Sequence, residues 1–294
     1  MNEAATPWRR AFRVLVTVGP GGLWLLLFVL LPTLLVLVAS FLTRGPYGEL
    51  TGPLGLHNYA RLLHPVYLEA FAQSLLVGVL ATLLSALLGY PLAFYIARHP
   101  RRDLFLFLLL LPFLTNFLIR VYAWLVLLQR EGLVNALLGA LGLGPLALYP
   151  SFFAVLLATV YTFLPFFVLP VYASVERLDW QLLEAAYDLG ARPLRAFLHA
   201  VLPQTYPGLF AGSVLVFIPA MGTFVVADLL GAGRVVLIGN LIQQQFGITR
   251  DWAFGAALSV FLMGFVLLSL YLYARLQGER GLGHGRSPYP EDLL

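Results

Sequence analysis

The 294-residue chain contains no lysine, and all 18 of its basic residues are arginines. A phosphate-binding loop of the G-x-x-x-x-G-K-[ST] type needs a lysine that reaches the phosphates, so the chain carries no such loop. The absence of lysine also excludes a Schiff base on this chain. If ATP drives this protein, a separate chain must hydrolyse it.

Cysteine is missing too, so the chain forms no disulfide and offers no thiolate as a nucleophile or metal ligand. The five histidines never fall three or four residues apart, and this spacing predicts no zinc motif. We expect no resident cofactor. The basic runs flank apolar segments, which is typical of membrane borders, so we expect no nucleic-acid partner.

Charged residues are scarce. Only 11% of the residues are charged and 60% are hydrophobic, whereas a soluble domain is about 25% charged and roughly 45–50% apolar. We therefore predict an integral, all-α membrane protein whose surroundings are the lipid bilayer.

Six apolar segments reach the length of about 20 residues that a spanning helix needs. We predict a polytopic domain over residues 21–275, between a short N-terminal segment, 1–20, and a C-terminal tail, 276–294, that is expected to be disordered. The predicted spans are roughly 21–42, 70–97, 104–128, 151–175, 208–227 and 252–274.

The arginines are distributed unevenly between the two sides of these spans. Six spans place both termini on one side, which then carries twelve arginines in residues 1–20, 98–103, 176–207 and 275–294. The opposite side carries five: Arg44, Arg61, Arg130, Arg234 and Arg250. By the positive-inside rule we expect both termini in the cytoplasm.

Arg120 interrupts the third apolar segment. On a straight helix it lies 17 residues beyond Asp103, which corresponds to about 25 Å at 1.5 Å per residue. We therefore expect its guanidinium to reach the outer headgroups by snorkelling.

The long loop at residues 176–207 carries helix signals of its own. Asp179 is a suitable N-cap for a helix over 180–189, and Gly190 supplies a left-handed stop. Pro193 begins a second predicted helix, which Pro203 ends. The pattern predicts a helix–glycine–helix hairpin outside the bilayer, either lying on the membrane or docking against a partner.

Six residues in this loop have a distinctive spacing: Glu184, Ala185, Ala186, Gly190, Leu202 and Pro203. They resemble the E-A-A-x-x-x-G-x9-I-x-L-P motif of the permease subunits of binding-protein-dependent ABC importers. Ala200 stands where the motif has isoleucine, which is one apolar residue replaced by another. The loop's position before the fifth span agrees with the same family.

This resemblance implies the type I ABC importer permease architecture in a bacterial inner membrane. The implied partners are a second homologous permease, two ATPase subunits that bind ATP, and an extracytoplasmic substrate-binding protein. Glu184, Ala185 and Ala186 would face the ATPase as the family's coupling helix does. Gly190 would make the turn, and Leu202 and Pro203 would lead the chain back into the bundle. The permease itself would catalyse no reaction.

Further segments resemble the spermidine/putrescine permeases of this family. They lie at residues 111–124, 219–224, 228–231, 238–242 and 250–257, of which the last is the most distinctive. The implied cargo is a polyamine, and alternating access would carry it across the membrane.

A path for flexible polycations should offer carboxylates and aromatic faces. The candidate path residues are Thr115, Asn116, Tyr122, Trp124, Phe224 and Asp228. Asp228 could instead pair with Arg234 at the outer interface. Thr115 and Asn116, expected to be buried, could instead hydrogen-bond between helices.

Three alternatives stay open. The same machine could import ferric iron, thiamine, an aminophosphonate or an oxyanion, because related permeases share the loop motif. An ion-coupled secondary transporter would need ionisable residues in mid-membrane, and the predicted spans contain only Arg120. A membrane-embedded enzyme would need a cluster of histidine and acidic residues, which the sequence pattern does not predict.

Overall fold

The computed structural model describes residues 16, 17 and 19–281. The predictions for residues 1–15 and 282–294 lie outside the described residues. Five described helices are long and apolar enough to cross a membrane: Gly19–Ala39, Pro65–Arg98, Phe152–Glu176, Pro193–Gly222 and Trp252–Tyr271. A bent pair, Arg102–Leu114 and Phe117–Ala140, brings the number to six if it counts as one span. We number these spans 1 to 6 in chain order, with the bent pair as span 3.

Shorter elements connect the spans. A two-stranded antiparallel hairpin, Thr43–Arg44 with Leu50–Thr51, and the helix His57–Arg61 follow span 1. Span 3 comprises Arg102–Leu110, the 3₁₀ turn Leu111–Leu114, Phe117–Leu128 and Leu133–Ala140. The helix Trp180–Asp188, which we call the loop helix, follows span 4. The π-helical turn Ala227–Gly231 and the helix Ile238–Gly247 lie between spans 5 and 6, and the helix of span 6 continues to Gly281.

The chain divides into two compact units. One consists of Met1–His64 with Gln244–Leu294, and the other of Pro65–Gln243. In the second unit, spans 2, 4 and 5 pack on one another around buried valine, alanine and phenylalanine side chains. Gly212 of span 5 has no side chain, and a Cβ there would lie 2.8 Å from the carbonyl oxygen of Phe167 in span 4. Small residues thus bring spans 4 and 5 close together, as in many membrane bundles.

Span 3 is not the straight helix that was predicted. It bends by 90° between Leu114 and Phe117. Thr115 is extended, with ψ 150°, and the side chain of Asn116 accepts a hydrogen bond from the Leu118 amide, which caps a new helix. Pro112 lacks an amide proton and so cannot continue an α-helical ladder. The depth of about 25 Å expected for Arg120 assumed a straight helix at 1.5 Å per residue, so that estimate is wrong.

Span 5 begins earlier and ends earlier than predicted. Its helix runs over Pro193–Gly222, so Pro203 does not end the second loop helix, and Leu202 and Pro203 lie inside one continuous helix. The π-helical turn Phe197–Val201 ends two residues before this proline and widens the helix, which relieves the clash of the ring with the preceding turn. The helix stops at Gly222, since Thr223 is extended with ψ 131°. Residues 223–227, predicted as part of the span, therefore lie outside it.

Candidate functional site

Capping motifs at both ends fix the loop helix. The Asp179 carboxylate accepts a hydrogen bond from the Gln181 amide at 3.0 Å, which confirms the predicted N-cap. Gly190 has φ +78°, and its amide donates to the Tyr187 carbonyl at 2.8 Å. The next amide, of Ala191, donates to the Ala186 carbonyl at 3.0 Å. These two bonds form a Schellman motif, which explains why glycine occupies this position.

The motif residues of the loop helix present an exposed surface. Glu184, Ala185 and Gly190 are exposed, and Ala186 is half-buried. Large apolar side chains flank them, since Leu182 is 52% exposed and Leu189 is 89% exposed. An apolar surface of this kind outside the spans is typical of a protein–protein contact.

Two polar or aromatic contacts attach the first turn of the loop helix to the spans. The Asp179 amide donates to Gln204 Oε1 in span 5 at 3.0 Å. The Trp180 ring packs against the buried cluster that includes Ile96 and Val175, and the Arg98 guanidinium lies 4.7 Å from its centroid. Sequence reasoning missed Arg98 and Trp180, because nothing in either residue's local pattern shows that they meet.

A cavity of about 490 Å³ lies beside the loop helix. Leu183, Glu184 and Tyr187 line it from the loop helix, and Arg98 and Arg102 line it from the ends of spans 2 and 3. Arg102 is paired across it with Glu176, the last residue of span 4, at 2.6 Å. The cavity thus separates most of the loop helix from the ends of these spans.

Four of the predicted path residues lie in span 3, and the structure corrects their expected surroundings. Thr115 and Asn116 are exposed rather than buried. Thr115 donates to the Pro112 carbonyl at 2.7 Å and Asn116 caps its own helix, so neither side chain bridges two helices through these bonds. Tyr122 is exposed, and the Trp124 ring meets Tyr161 of span 4 edge-on at 5.5 Å.

Asp228 and Phe224 lie together just beyond span 5. Both side chains are exposed, and the Asp228 amide donates to the Phe224 carbonyl at 2.8 Å. The buried Asn240 side chain donates to Asp228 Oδ1 at 2.5 Å and to the Phe224 carbonyl at 3.0 Å. None of the ion pairs among the described residues includes Asp228, so the alternative pairing with Arg234 is not observed. An exposed carboxylate and an exposed aromatic ring four residues apart can both contribute to binding an ammonium group.

Polar side chains of span 2 hold the segment that precedes Asn240. Ser74 Oγ accepts a hydrogen bond from the Ile238 amide at 2.7 Å, and Gln73 Oε1 accepts one from the Val236 amide at 3.3 Å. The side-chain oxygen of Asn240 also accepts a hydrogen bond from the Leu237 amide at 2.9 Å. Asn240 is therefore fixed on both sides, and it fixes Asp228 in turn.

Arg120 does not lie free at the end of a straight span. Its guanidinium carbon is 4.8 Å from the Phe113 ring centroid and 5.9 Å from that of Phe117. Its Nε and Nη1 atoms are buried without a hydrogen-bond partner in the structure. The aromatic faces on either side of the bend thus stabilise this cation.

In the first unit, Arg61 and Asp251 form an ion pair that the sequence did not predict. Their atoms approach to 2.9 Å, and the Asp251 side chain is 7% exposed. Asp251 also accepts a hydrogen bond from the Phe254 amide at 3.1 Å, and Arg61 lies 3.9 Å above the Phe254 ring. The position of Asp251 directly before Trp252 was a signal for an N-cap.

The chain is similar to known proteins over most of its length. Residues 78–279 match the family described as binding-protein-dependent transport system inner membrane component. The spermidine/putrescine transport system permease protein PotB of Haemophilus influenzae is 44% identical over 264 residues, which cover 88% of this chain and 92% of that protein. The protein of the same name from Escherichia coli is 45% identical, and the match covers 87% of this chain and 96% of that protein.

A solved structure shares the fold at low sequence identity. It is a bacterial alginate ABC transporter in complex with an alginate pentasaccharide-bound periplasmic protein. Its matching chain is 18% identical, with a TM-score of 0.69, and the match covers 94% of this chain and 98% of that one. At this identity the likeness shows the fold alone.

Proposed function

The chain belongs to the family of binding-protein-dependent transport system inner membrane components, and on this premise we propose that it conducts polyamines, spermidine or putrescine, into the cell. It is a permease subunit of an ABC importer with the type I fold, and not a catalytic subunit. The proposed cargo rests on one observation: the chain shares 44–45% sequence identity, over 87–88% of its length, with two permeases named for spermidine and putrescine.

The loop helix is the proposed contact with an ATPase subunit that binds and hydrolyses ATP. Glu184 and Ala185 are exposed there, and the exposed leucines around them provide apolar contact area. Small alanine side chains permit close approach of a partner, and the Schellman motif at Gly190 holds the end of the helix in place. We place this helix in the cytoplasm, with both chain termini, and propose a complex of this permease, a second homologous permease and two ATPases.

The proposed docking surface for the binding protein lies in the first unit. The hairpin and loop between spans 1 and 2 expose Tyr47, which is 93% exposed, together with Leu54 and Leu56. These apolar side chains lie outside the helices that are long and apolar enough to cross a membrane, and exposed apolar groups of this kind are typical of a protein–protein contact. The loop that carries them is held by Asn58, whose side-chain amide donates to the carbonyls of Ser40 and Leu42 at 3.0 and 2.8 Å.

Asp228 and Phe224 are the proposed substrate contacts. The carboxylate would pair with an ammonium group of the polyamine, and the ring would offer its face to the same cation. Asn240 holds Asp228 Oδ1, so the carboxylate is fixed before the substrate arrives. Tyr122 and Trp124 of span 3 are proposed to extend the aromatic lining of the path, and Thr115 and Asn116 to set the bend at which it begins.

In the proposed cycle, the loaded binding protein docks outside and ATP closes the ATPase subunits. The closing ATPases move the loop helix, and the loop helix moves the spans, so that the path opens first to one side and then to the other. No covalent bond of the polyamine is made or broken in this permease.

Uptake in proteoliposomes that contain the complete complex tests the proposal. Labelled spermidine and loaded binding protein are supplied outside, ATP inside, and ferric iron and an aminophosphonate compete in parallel. ATP-dependent spermidine uptake that neither competitor reduces is the expected result. ATP turnover stimulated by a different loaded binding protein, without polyamine uptake, would overturn the polyamine assignment. The assignment as an importer permease would still stand.

The variant Glu184→Arg tests the loop helix in the same vesicles. Reversing a charge on the exposed motif surface should abolish uptake while the chain still inserts. The matched control is Glu131→Arg, which reverses an exposed charge outside the loop helix. Equal uptake by wild type and Glu184→Arg would contradict the proposed ATPase contact.

A further inference from the structure

Trp180 is the residue through which the loop helix enters the membrane bundle. It is the first residue of that helix, and its ring packs against a buried cluster that includes Ala93 and Ile96 of span 2 and Val175 of span 4. The motif residues that face the proposed ATPase lie one turn or more further along the same helix. A force applied to those residues therefore reaches the spans through a helix whose first residue packs against their buried cluster.

The Arg98 guanidinium also contacts the Trp180 ring. It is the last residue of span 2, and its guanidinium carbon lies 4.7 Å from the ring centroid. This separation is within the distance of about 6 Å at which a guanidinium is attracted to an aromatic face. The contact joins the end of span 2 to the start of the loop helix, although the two are far apart along the chain.

The cavity beside the loop helix shows why the contact between Arg98 and Trp180 is important for joining this helix to span 2. Leu183, Glu184 and Tyr187 line one wall of a cavity of about 490 Å³, and the ends of spans 2, 3 and 4 line the opposite wall. Past its first turn, this side of the loop helix therefore has little direct packing on span 2. Movement of the helix is transmitted to span 2 chiefly where Trp180 and Arg98 meet.

The second arginine that lines the cavity has a different role. Arg102 pairs with Glu176 at 2.6 Å and so joins the start of span 3 to the end of span 4. Arg101, between the two, makes no ion pair or ring contact with its side chain among the described residues. It has the same charge and is also exposed, which makes it a matched control.

We propose that Arg98 is a positioning residue for energy coupling, which holds the end of span 2 on Trp180 so that span 2 and the loop helix move as one body. The inference rests on the proposed function, because it assumes that an ATPase pushes the loop helix. It assigns to Arg98 the transmission of that push, and not the binding of the ATPase or of the substrate.

The first test is the number of polyamine molecules imported per ATP hydrolysed by the complete complex in proteoliposomes. We expect Arg98→Ala to lower this ratio by about fivefold, the effect of losing a moderate cation–π contact, while ATP hydrolysis stimulated by the binding protein persists. Arg98→Lys and Trp180→Phe should retain most of the ratio, since each keeps a cation or a ring. Arg101→Ala should behave as wild type.

Two results would overturn the inference. An unchanged ratio in Arg98→Ala would show that span 2 is driven without this contact. Loss of the ATPase from purified Arg98→Ala complexes, restored by Arg98→Lys, would assign Arg98 to assembly instead of transmission.

A distance measurement separates this inference from the proposed cargo, because it needs no substrate. The chain has no natural cysteine, so spin labels can be placed at Leu88→Cys in span 2 and Gln181→Cys in the loop helix, both exposed positions. The label distance should stay the same in the nucleotide-free and vanadate-trapped complexes, and should change between them in Arg98→Ala. A distance that changes equally in both proteins would overturn the inference, whichever substrate the importer takes.

Discussion

Asp251 combines two roles at one position. One carboxylate oxygen accepts a hydrogen bond from the Phe254 amide and caps span 6, and the other pairs with Arg61. Its own amide donates to the Gln245 carbonyl at 3.0 Å, which fixes the turn before the span. A buried carboxylate is stable only when its oxygens are satisfied in this way.

We expect Asp251→Ala to lower the apparent melting temperature of the detergent-purified protein by several degrees. The variant loses an N-cap, worth about 1 kcal/mol, and leaves Arg61 without its partner. Asp251→Asn should lose less, since the amide oxygen can still cap the helix. Thermal unfolding followed by size-exclusion chromatography measures both, with Glu131→Gln as the control. Equal stability of all four proteins would contradict the role given to Asp251.

Asp228 is the residue whose charge the proposed substrate path depends on. Asp228→Asn keeps an oxygen that can accept from Asn240 but removes the negative charge. We expect the KM for spermidine uptake to rise about tenfold, the loss of one charge-assisted hydrogen bond. Initial uptake rates over a range of concentrations of loaded binding protein measure the effect, against Glu131→Gln. An unchanged KM would remove Asp228 from the path.

At the scale of elements, local signals were sufficient for the loop helix and insufficient for span 3. Asp179 and Gly190 act within a few residues of their own position, so the sequence predicted both ends of the helix. In span 3, continuous apolar composition concealed the bend, although Pro112 and the capping residue Asn116 were both visible. Hydropathy measures the preference of a segment for lipid and carries no information on the direction of the helix axis. A bent helix and a straight helix of the same composition therefore have the same hydropathy profile.

Local signals were also insufficient for span 5, where a visible proline suggested a helix end that does not occur. Pro203 was taken as a stop because proline usually breaks a helix. The preceding π-helical turn Phe197–Val201 accommodates it, and the helix continues into the span. The buried Val201 in this turn is packed against the rest of the protein, and a local sequence pattern does not contain such packing.

Gly190 provides a test of the loop helix as an element. Its φ of +78° is unfavourable for residues with a side chain, and a Cβ there would meet no atom within 4 Å. Gly190→Ala therefore adds backbone strain of about 1 kcal/mol without a clash. We expect the end of the loop helix to shift and less ATPase to co-purify, whereas Gly190→Asn should retain more because asparagine tolerates this conformation. Equal co-purification in all three proteins would show that the turn geometry is not required.

At the scale of the whole molecule, sequence reasoning predicted the membrane class, the number of apolar segments and the loop motif, because each is written in consecutive residues. It did not predict the contacts of Asp228 with Asn240, of Arg98 with Trp180, or of Arg61 with Asp251. The last of these joins residues 190 positions apart. Such contacts depend on how the helices pack, and a single sequence read along its length does not contain that arrangement.

The distribution of arginines predicts the orientation of the chain in the membrane, and this prediction can be tested directly. Twelve arginines lie on the side assigned to the termini and five on the other, so we expect the loop helix inside and the hairpin outside. Because the natural chain has no cysteine, Tyr47→Cys and Asp188→Cys each introduce a single thiol at an exposed position. A membrane-impermeant maleimide added to intact cells should label Tyr47→Cys and not Asp188→Cys, and permeabilised cells should label both. Labelling of Asp188→Cys alone in intact cells would reverse the orientation, and it would place the loop helix where no ATPase could reach it.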